Sequence, residues 1–141
     1  MEKATILEEI KEQFQMKPVD LRTYSPLALA YIGDSIFDVV VKTVMIMRGN
    51  CPVNKLHRYT SHYVKAESQS KMVETIAELL TEEEAAILKR GRNAKSFTTA
   101  KNASVSDYRR ATGLEALIGY LYLNNQTERL VELVRIGMEN L

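Results

Sequence analysis

The sequence predicts an all-α protein, a fold class that three observations indicate. Apolar residues recur at intervals of three and four along most of the 141 residues, which is the period of an amphipathic helix. No segment shows the sustained alternation of apolar and polar residues that is typical of a half-buried strand. Only three prolines and six glycines interrupt the chain, so a long disordered tail is not expected. The length fits one domain, residues 1–141.

The first two helices have clear start and stop signals. Apolar residues at positions 6, 7, 10 and 14 mark one face of a first helix, which ends before Pro18. Ser25 is a good N-cap and Pro26 suits the first helical position, so a second helix is predicted over residues 27–48. Gly49 and Asn50 end it. This helix is apolar nearly all round, as is expected at the centre of a bundle.

The second half of the chain also follows the helical period. Two helices are predicted between residues 54 and 80, with a boundary near His62. Thr81 and Glu84 form a capping box that begins the next helix, which runs to about Arg90. Residues 91–106 are rich in Gly, Asn, Ser, Thr and Lys and are interpreted as a loop. Helices are then predicted over residues 107–123 and 126–141.

Composition excludes several classes of protein. No stretch approaches the roughly 20 apolar residues that a membrane helix needs, and the first residues lack the pattern of a signal peptide. A single cysteine, Cys51, cannot form an intramolecular disulfide or a metal cluster. These features favour a protein of the reducing cytoplasm.

Positive charge is concentrated in one segment although the net charge is only +1. Residues 89–110 contain seven basic side chains and one acid, Asp107. Such a segment can attract a polyanion such as nucleic acid. The alternative for each of these charges is a solvated surface residue. The basic residues are Lys89, Arg90, Arg92, Lys95, Lys101, Arg109 and Arg110.

Two carboxylates in apolar helices lack a local partner. Asp38 has Lys42 four residues later on the same helix face, but Asp34 has no cation at that spacing and neither does Glu115. A carboxylate in an apolar setting is costly unless it is paired or binds a metal ion. If both helices lie in the core, one shared Mg²⁺ or Mn²⁺ would satisfy both acids. The alternative is that each acid pairs with a distant Arg or Lys, or lies at the rim of the bundle.

Three motifs resemble one family of nucleases. The segment Ala-Tyr-Ile-Gly-Asp-Ser-Ile at residues 30–36 resembles the signature of the ribonuclease III family, and Leu-Glu-Ala-Leu-Ile-Gly at residues 114–119 resembles its second acidic motif. The basic loop at residues 89–96 resembles, more narrowly, the short bacterial mini-ribonuclease III subclass. The resemblance extends in register over about residues 25–135.

The resemblance implies an all-helical nuclease domain that forms a two-fold homodimer and cleaves double-stranded RNA. It implies Mg²⁺ as the cofactor, with Mn²⁺ as a substitute. It assigns Asp34 and Glu115 to the catalytic, metal-binding positions. For the subclass it also implies a substrate, the precursor of large-subunit (23S) ribosomal RNA. The RNA-binding residues would then be Lys89, Arg90, Arg92, Asn93, Lys95, Lys101, Arg109 and Arg110.

Two departures from the larger enzymes of the family leave the metal site open. Ala30 and Thr112 stand where those enzymes carry acids, so the number of metal ions and their remaining ligands are not determined. Thr112 can still orient a metal-bound water through its hydroxyl. The main alternative function is a non-catalytic RNA-binding module on the same fold. A more distant one is a helical protein-interaction domain.

A second group of basic side chains lies earlier in the chain and can extend the RNA-binding track. Two of its members are histidines, which a metal-dependent mechanism does not need, so they are interpreted as surface residues. The group is Lys55, His57, Arg58, His62 and Lys65.

Overall fold

A computed structural model describes residues 4–94 and 104–141, and this part of the chain contains helices and no strand. The predicted all-α class is confirmed. Two single-turn 3-10 helices lie at Leu21–Thr23 and Ala77–Leu79. The α-helices are α1 (Ile6–Gln13), α2 (Pro26–Met47), α3 (Val53–Val64), α4 (Ala66–Ile76), α5 (Glu82–Asn93), α6 (Val105–Leu123) and α7 (Thr127–Glu139).

Local capping signals set several helix starts. The side chain of Ser25 accepts a hydrogen bond from the backbone N–H of Ala28, and Pro26 is the first residue of α2. Thr81 and Glu84 form both hydrogen bonds of the predicted capping box at the start of α5. These starts were predicted within one residue because the signals are local.

The predicted loop over residues 91–106 is wrong at both ends. Helix α5 continues through Gly91 to Asn93, and α6 begins at Val105, where Ser104 is the N-cap. Residues 95–103 lie outside the described residues. The boundary between α3 and α4 falls at Lys65, whose extended backbone interrupts the helix three residues after the predicted His62.

The most enclosed helix is α6, with Ala116, Leu117 and Leu121 wholly buried. It packs against α2, α5, α4 and α7. The expectation that α2 lies at the centre of the bundle is wrong: Tyr31 is 82% exposed and Met47 is 78% exposed. Its other face, which includes Phe37 and Val41, packs in the core. None of the helices in the described part of the chain is long and apolar enough to span a membrane.

One buried ion pair ties α7 to α5. The carboxylate of Glu84 accepts hydrogen bonds from Arg129 Nε at 2.9 Å and from Arg129 Nη2 at 2.8 Å. The same guanidinium also donates to the carbonyl of Leu79. The Arg129 guanidinium holds the pKa of the Glu84 carboxyl below its usual value. Glu84 therefore belongs to the capping box of α5 and also forms a tertiary contact with α7.

Candidate active site

The helices α2 and α6 touch through their backbones where they cross. A Cβ atom added to Gly33 would lie 1.7 Å from the carbonyl oxygen of Glu115. One added to Gly119 would lie 1.9 Å from the carbonyl oxygen of Leu29. Neither position has room for any side chain, so the two glycines allow the closest approach that two helices can make. The residue that follows Gly33 is Asp34, which this contact brings to Glu115.

Asp34 and Glu115 lie within hydrogen-bonding distance of each other. Burial, together with the hydrogen bond and the negative charge of Asp34, raises the pKa of Glu115 to about 9. In this state the protonated Glu115 donates to the Asp34 carboxylate. The two acids that the sequence singled out, one on each helix, therefore form a single carboxyl pair.

The pair lies at the rim of the bundle and not inside the core. Asp34 is exposed and Glu115 is half-buried, as in the alternative that placed the acids at the rim of the bundle. Within residues 4–94 and 104–141, neither acid forms an ion pair with a lysine or arginine. Asp38, in contrast, pairs with Lys42 at 2.7 Å as predicted. The pair is thus open to solvent, and no cation of the described residues offsets its charge.

A hard divalent cation fits this arrangement. Mg²⁺ is commonly bound by one or two carboxylates, with waters and substrate phosphates completing its shell. The described residues contain no cluster of three or more acidic, histidine or cysteine side chains that could enclose a metal ion by themselves. Two converging carboxylates with solvent beside them suit a cation that keeps most of its waters. No softer ligand is present in the pair, which argues against zinc or copper.

The two positions that depart from the larger enzymes are both buried. Ala30 is 8% exposed and lies one turn before Asp34 on α2. Thr112 is also 8% exposed, and its hydroxyl donates to the carbonyl of Tyr108 at 3.0 Å. The Thr112 oxygen keeps a lone pair that can accept from a water. Its role toward a metal-bound water stays a prediction.

The basic end of α5 lies against α6. A Cβ atom on Gly113 would lie 2.7 Å from the carbonyl oxygen of Leu88 and 3.2 Å from the backbone nitrogen of Arg92. This close contact packs the last turn of α5 against α6. This contact is also the reason why α5 runs through Gly91 instead of ending there.

Four of the eight predicted RNA-binding residues line one cavity of about 370 Å³ between the end of α5 and the start of α6. Arg110 donates to Glu74 at 2.8 Å, so part of its charge is already offset. Lys89 and Arg90 are exposed on α5 and do not line this cavity. Lys95 and Lys101 lie outside the described residues. The four lining residues are Arg92, Asn93, Arg109 and Arg110.

Four of the five members of the second basic group are divided between two surfaces, whereas Lys65 is exposed and lines neither. Lys55, Arg58 and His62 line one pocket together with Arg48, which the sequence analysis did not single out. His57 lines a separate apolar groove. Both histidines are exposed, as predicted. Arg48 was missed because it stands alone at the end of α2, and only the packing of α3 brings other cations to it.

Comparisons with known proteins show the family to which this chain is similar. The family model described as "Ribonuclease III domain" matches residues 27–126, which include both acids. The Mini-ribonuclease 3 of Clostridium tetani is 50% identical over 118 residues, covering 83% of this chain and 78% of that protein. That of Enterococcus faecalis is 48% identical, covering 82% of this chain and 89% of that protein.

The fold has a match among solved structures. A crystal structure of a Fusobacterium nucleatum protein superposes with a TM-score of 0.77 at 32% sequence identity. The match covers 87% of this chain and 98% of that chain.

Proposed function

We propose that this chain, which belongs to the ribonuclease III family and to its short mini-ribonuclease III subclass, is a metal-dependent endoribonuclease. Its substrate would be double-stranded RNA. The observation that carries the proposal is the meeting of Asp34 and Glu115 at a solvent-exposed edge of the α2–α6 crossing. Both residues lie inside the stretch that the family model matches.

Asp34 and Glu115 would hold Mg²⁺, with Mn²⁺ as a possible substitute. A bound divalent cation lowers the pKa of a water and offsets the negative charge that develops on a phosphodiester under attack. Asp34 offers its carboxylate directly to solvent, whereas Glu115 must first lose its proton. The backbone contact at Gly33 fixes the separation of the two carboxyl groups, so the site is oriented before a ligand arrives.

The RNA would be held by the basic surface at the end of α5 and the start of α6. Arg92, Asn93 and Arg109 offer donors for phosphate oxygens at the cavity between α5 and α6. Duplex RNA is recognised mainly through its A-form shape, its phosphates and its 2′-hydroxyls, which basic and amide side chains can contact. We include Lys89, Arg90, Lys95, Lys101 and Arg110 in the same surface.

The active form would be a two-fold homodimer, in which two carboxyl pairs act on opposite strands. An apolar groove between α2 and α3 supports this assignment. It is lined by the exposed residues Val39, Ile46 and Val53, which are 55%, 46% and 60% exposed. A patch of this kind on a protein surface commonly marks an interface. By resemblance to the subclass, the substrate would be the precursor of 23S ribosomal RNA in the cytoplasm.

Replacement of one metal-binding carboxylate tests the proposed activity. Asp34→Asn removes one charged ligand, and we expect the rate of duplex RNA cleavage with Mg²⁺ to fall by roughly a hundred-fold or more. The matched control is Asp38→Asn, one helical turn later, where the acid is paired with Lys42. Cleavage is measured on a labelled duplex under single-turnover conditions. Equal rates for Asp34→Asn and the wild-type chain would contradict the assignment.

A non-catalytic RNA-binding module is the second candidate function. It is favoured because Ala30 and Thr112 stand where the larger enzymes of the family carry acids. The described residues also contain no group of three potential metal ligands. The same cleavage experiment separates the two functions. The module would bind duplex RNA and produce no fragments at any Mg²⁺ or Mn²⁺ concentration, whereas the proposed enzyme produces fragments only when the cation is added.

A further inference from the structure

A cationic pocket lies where α2 ends and α3 begins. It has a volume of about 490 Å³ and is bounded by the last turn of α2, the connecting segment and one face of α3. On α3 the lining residues follow a spacing of three, four and seven, which places them on the same helix face. The positively charged or titratable lining residues are Arg48, Lys55, Arg58 and His62.

Among the described residues, no acidic side chain lines this pocket. In the described part of the chain, Arg48, Lys55, Arg58 and His62 take part in no ion pair. The His62 ring lies edge-on to the ring of Tyr63, with the ring centres 4.8 Å apart. Other arginines of the protein do have acidic partners, namely Arg22, Arg110, Arg129 and Arg135. The positive charge of this pocket is therefore left for a ligand.

Compensation of the α2 dipole does not account for the whole cluster. A cation near the last carbonyls of a helix is favourable, and this explains Arg48 as the C-cap of α2. The effect falls off within the last turn of the helix. It gives no reason for Lys55 and Arg58 to gather on one face of α3 around the same cavity. Tyr59, which is 51% exposed, adds a hydroxyl and an aromatic ring to that face.

We propose that this pocket is a second phosphate-binding site, which binds the backbone of an RNA duplex at a distance from the carboxyl pair. The proposal rests on the proposed function, because it needs an RNA held at Asp34. Arg48 lies 14 residues beyond Asp34 on the same helix, a separation of roughly 21 Å along its axis. A rigid duplex placed at Asp34 can span that distance. Arginine suits the ligand, since its guanidinium can bind a phosphate through two hydrogen bonds.

The test is the affinity for duplex RNA of a charge-neutralised pocket. The variant is Lys55→Gln/Arg58→Gln, and the matched control is Lys71→Gln/Arg135→Gln, which removes one lysine and one arginine from exposed positions on α4 and α7. Binding of a labelled duplex is followed by fluorescence anisotropy in EDTA, so that no cleavage occurs, over a series of salt concentrations. Thermal melting of each variant verifies that it is folded.

We expect the pocket variant to bind roughly ten-fold more weakly at low salt and to show a shallower dependence of log affinity on log salt, by about one for each lost contact. The control variant is expected to retain the wild-type affinity and slope. An unchanged affinity and slope in a folded pocket variant would overturn the proposal. Equal losses in the control would do the same, because they would show a general effect of net charge.

Two further measurements complete the test. One asks whether the bound phosphate belongs to RNA or to a free nucleotide, and the other distinguishes failure of the pocket proposal from failure of the proposed function. If AMP binds the wild-type chain in a Lys55- and Arg58-dependent way while the duplex affinity of the variant is unchanged, the ligand is a free nucleotide and the proposal is wrong. Cleavage of duplex RNA by the wild-type chain with Mg²⁺ is assayed separately. If that cleavage occurs and the pocket variant binds normally, only the pocket proposal fails, whereas a wild-type chain that neither binds nor cuts duplex RNA refutes both proposals.

Discussion

At the scale of single residues, the lack of local partners for Asp34 and Glu115 was visible in the sequence, but their environment was not. Helical spacing shows which side chains share a face of one helix, and this identified Asp38 with Lys42 as the ordinary pair. It cannot show how deeply a position is buried. The structure leaves Asp34 exposed and Glu115 half-buried, and this difference is why the proton resides on Glu115.

The proton on Glu115 predicts a pH dependence of stability for the metal-free protein. The pKa of Glu115 is about 9 in the folded protein, whereas an unperturbed glutamate, as in the unfolded chain, has a pKa of 4.5. The folded chain therefore holds this proton more tightly than the unfolded chain does. The resulting stabilisation is fully present below pH 4.5 and is lost as the pH rises toward 9. We expect the Tm in EDTA to fall over this range for the wild-type chain more steeply than for Glu115→Gln.

Differential scanning fluorimetry of the two proteins across that pH range gives the comparison, and other titrating groups cancel in the difference. Added Mg²⁺ should reduce the difference at high pH, because a cation at the pair favours the ionised form of Glu115. Parallel Tm curves for the wild-type chain and Glu115→Gln would show that this carboxyl titrates normally.

At the scale of elements, caps were predictable and contacts between helices were not. Ser25, Thr81 and Glu84 act within three residues of themselves, so the sequence alone locates the starts of α2 and α5. Gly91 was interpreted as the end of a helix, which is a common role of glycine. Its actual role is to admit α6, since a Cβ there would lie 2.9 Å from the Cα of Gly113. The role of Gly91 therefore depends on Gly113, which lies in another helix and is distant in sequence.

The backbone contact at Gly33 predicts a severe effect of a single added methyl group. In Gly33→Ala the new Cβ would meet the Glu115 carbonyl, which cannot move aside as a flexible side chain does. We expect a loss of at least about 3 kcal/mol in the free energy of unfolding. In the matched control, Gly137→Ala, the Cβ would meet the side chain of Met72 at 3.0 to 3.2 Å, and we expect a loss within about 1 kcal/mol.

Urea denaturation followed by circular dichroism measures both losses. If Gly33→Ala does not fold while Gly137→Ala folds normally, the result agrees with the expected large loss in the free energy of unfolding. A Gly33→Ala protein as stable as the wild-type chain would show that the helices can separate without cost.

At the scale of the whole molecule, the order of the helices was predictable and their arrangement was not. The apolar residues on all sides of α2 suggested a central helix, yet the structure places α6 there and leaves Tyr31 and Met47 exposed. The period of the apolar residues shows which faces of a helix are apolar. It does not show which of those faces pack against other helices. A surface that is apolar in the single chain is what an interface between subunits requires, and Val39 and Ile46 of α2 line the groove that supports the proposed homodimer.

The proposed dimer predicts a change of mass on substitution in the apolar groove. Ile46→Glu introduces a charge at a 46% exposed position of the groove, and we expect the dissociation constant of the dimer to rise by roughly ten-fold or more. Val131→Glu on α7 is the control, since Val131 is 45% exposed and lies outside the groove. Sedimentation equilibrium gives both constants. A monomeric wild-type chain at micromolar concentration would contradict the dimer.

The contact between Gly33 and Glu115 has a consequence for how such a protein can change. The spacing of the two carboxyl groups is set by main-chain atoms, which every sequence shares, and only two positions need to stay without a side chain. Substitutions among the apolar residues elsewhere in the core can therefore accumulate without displacing the pair. The lineage is free to drift in most of its interior while its chemistry stays in place, and a protein engineer who retains Gly33 and Gly119 has the same freedom.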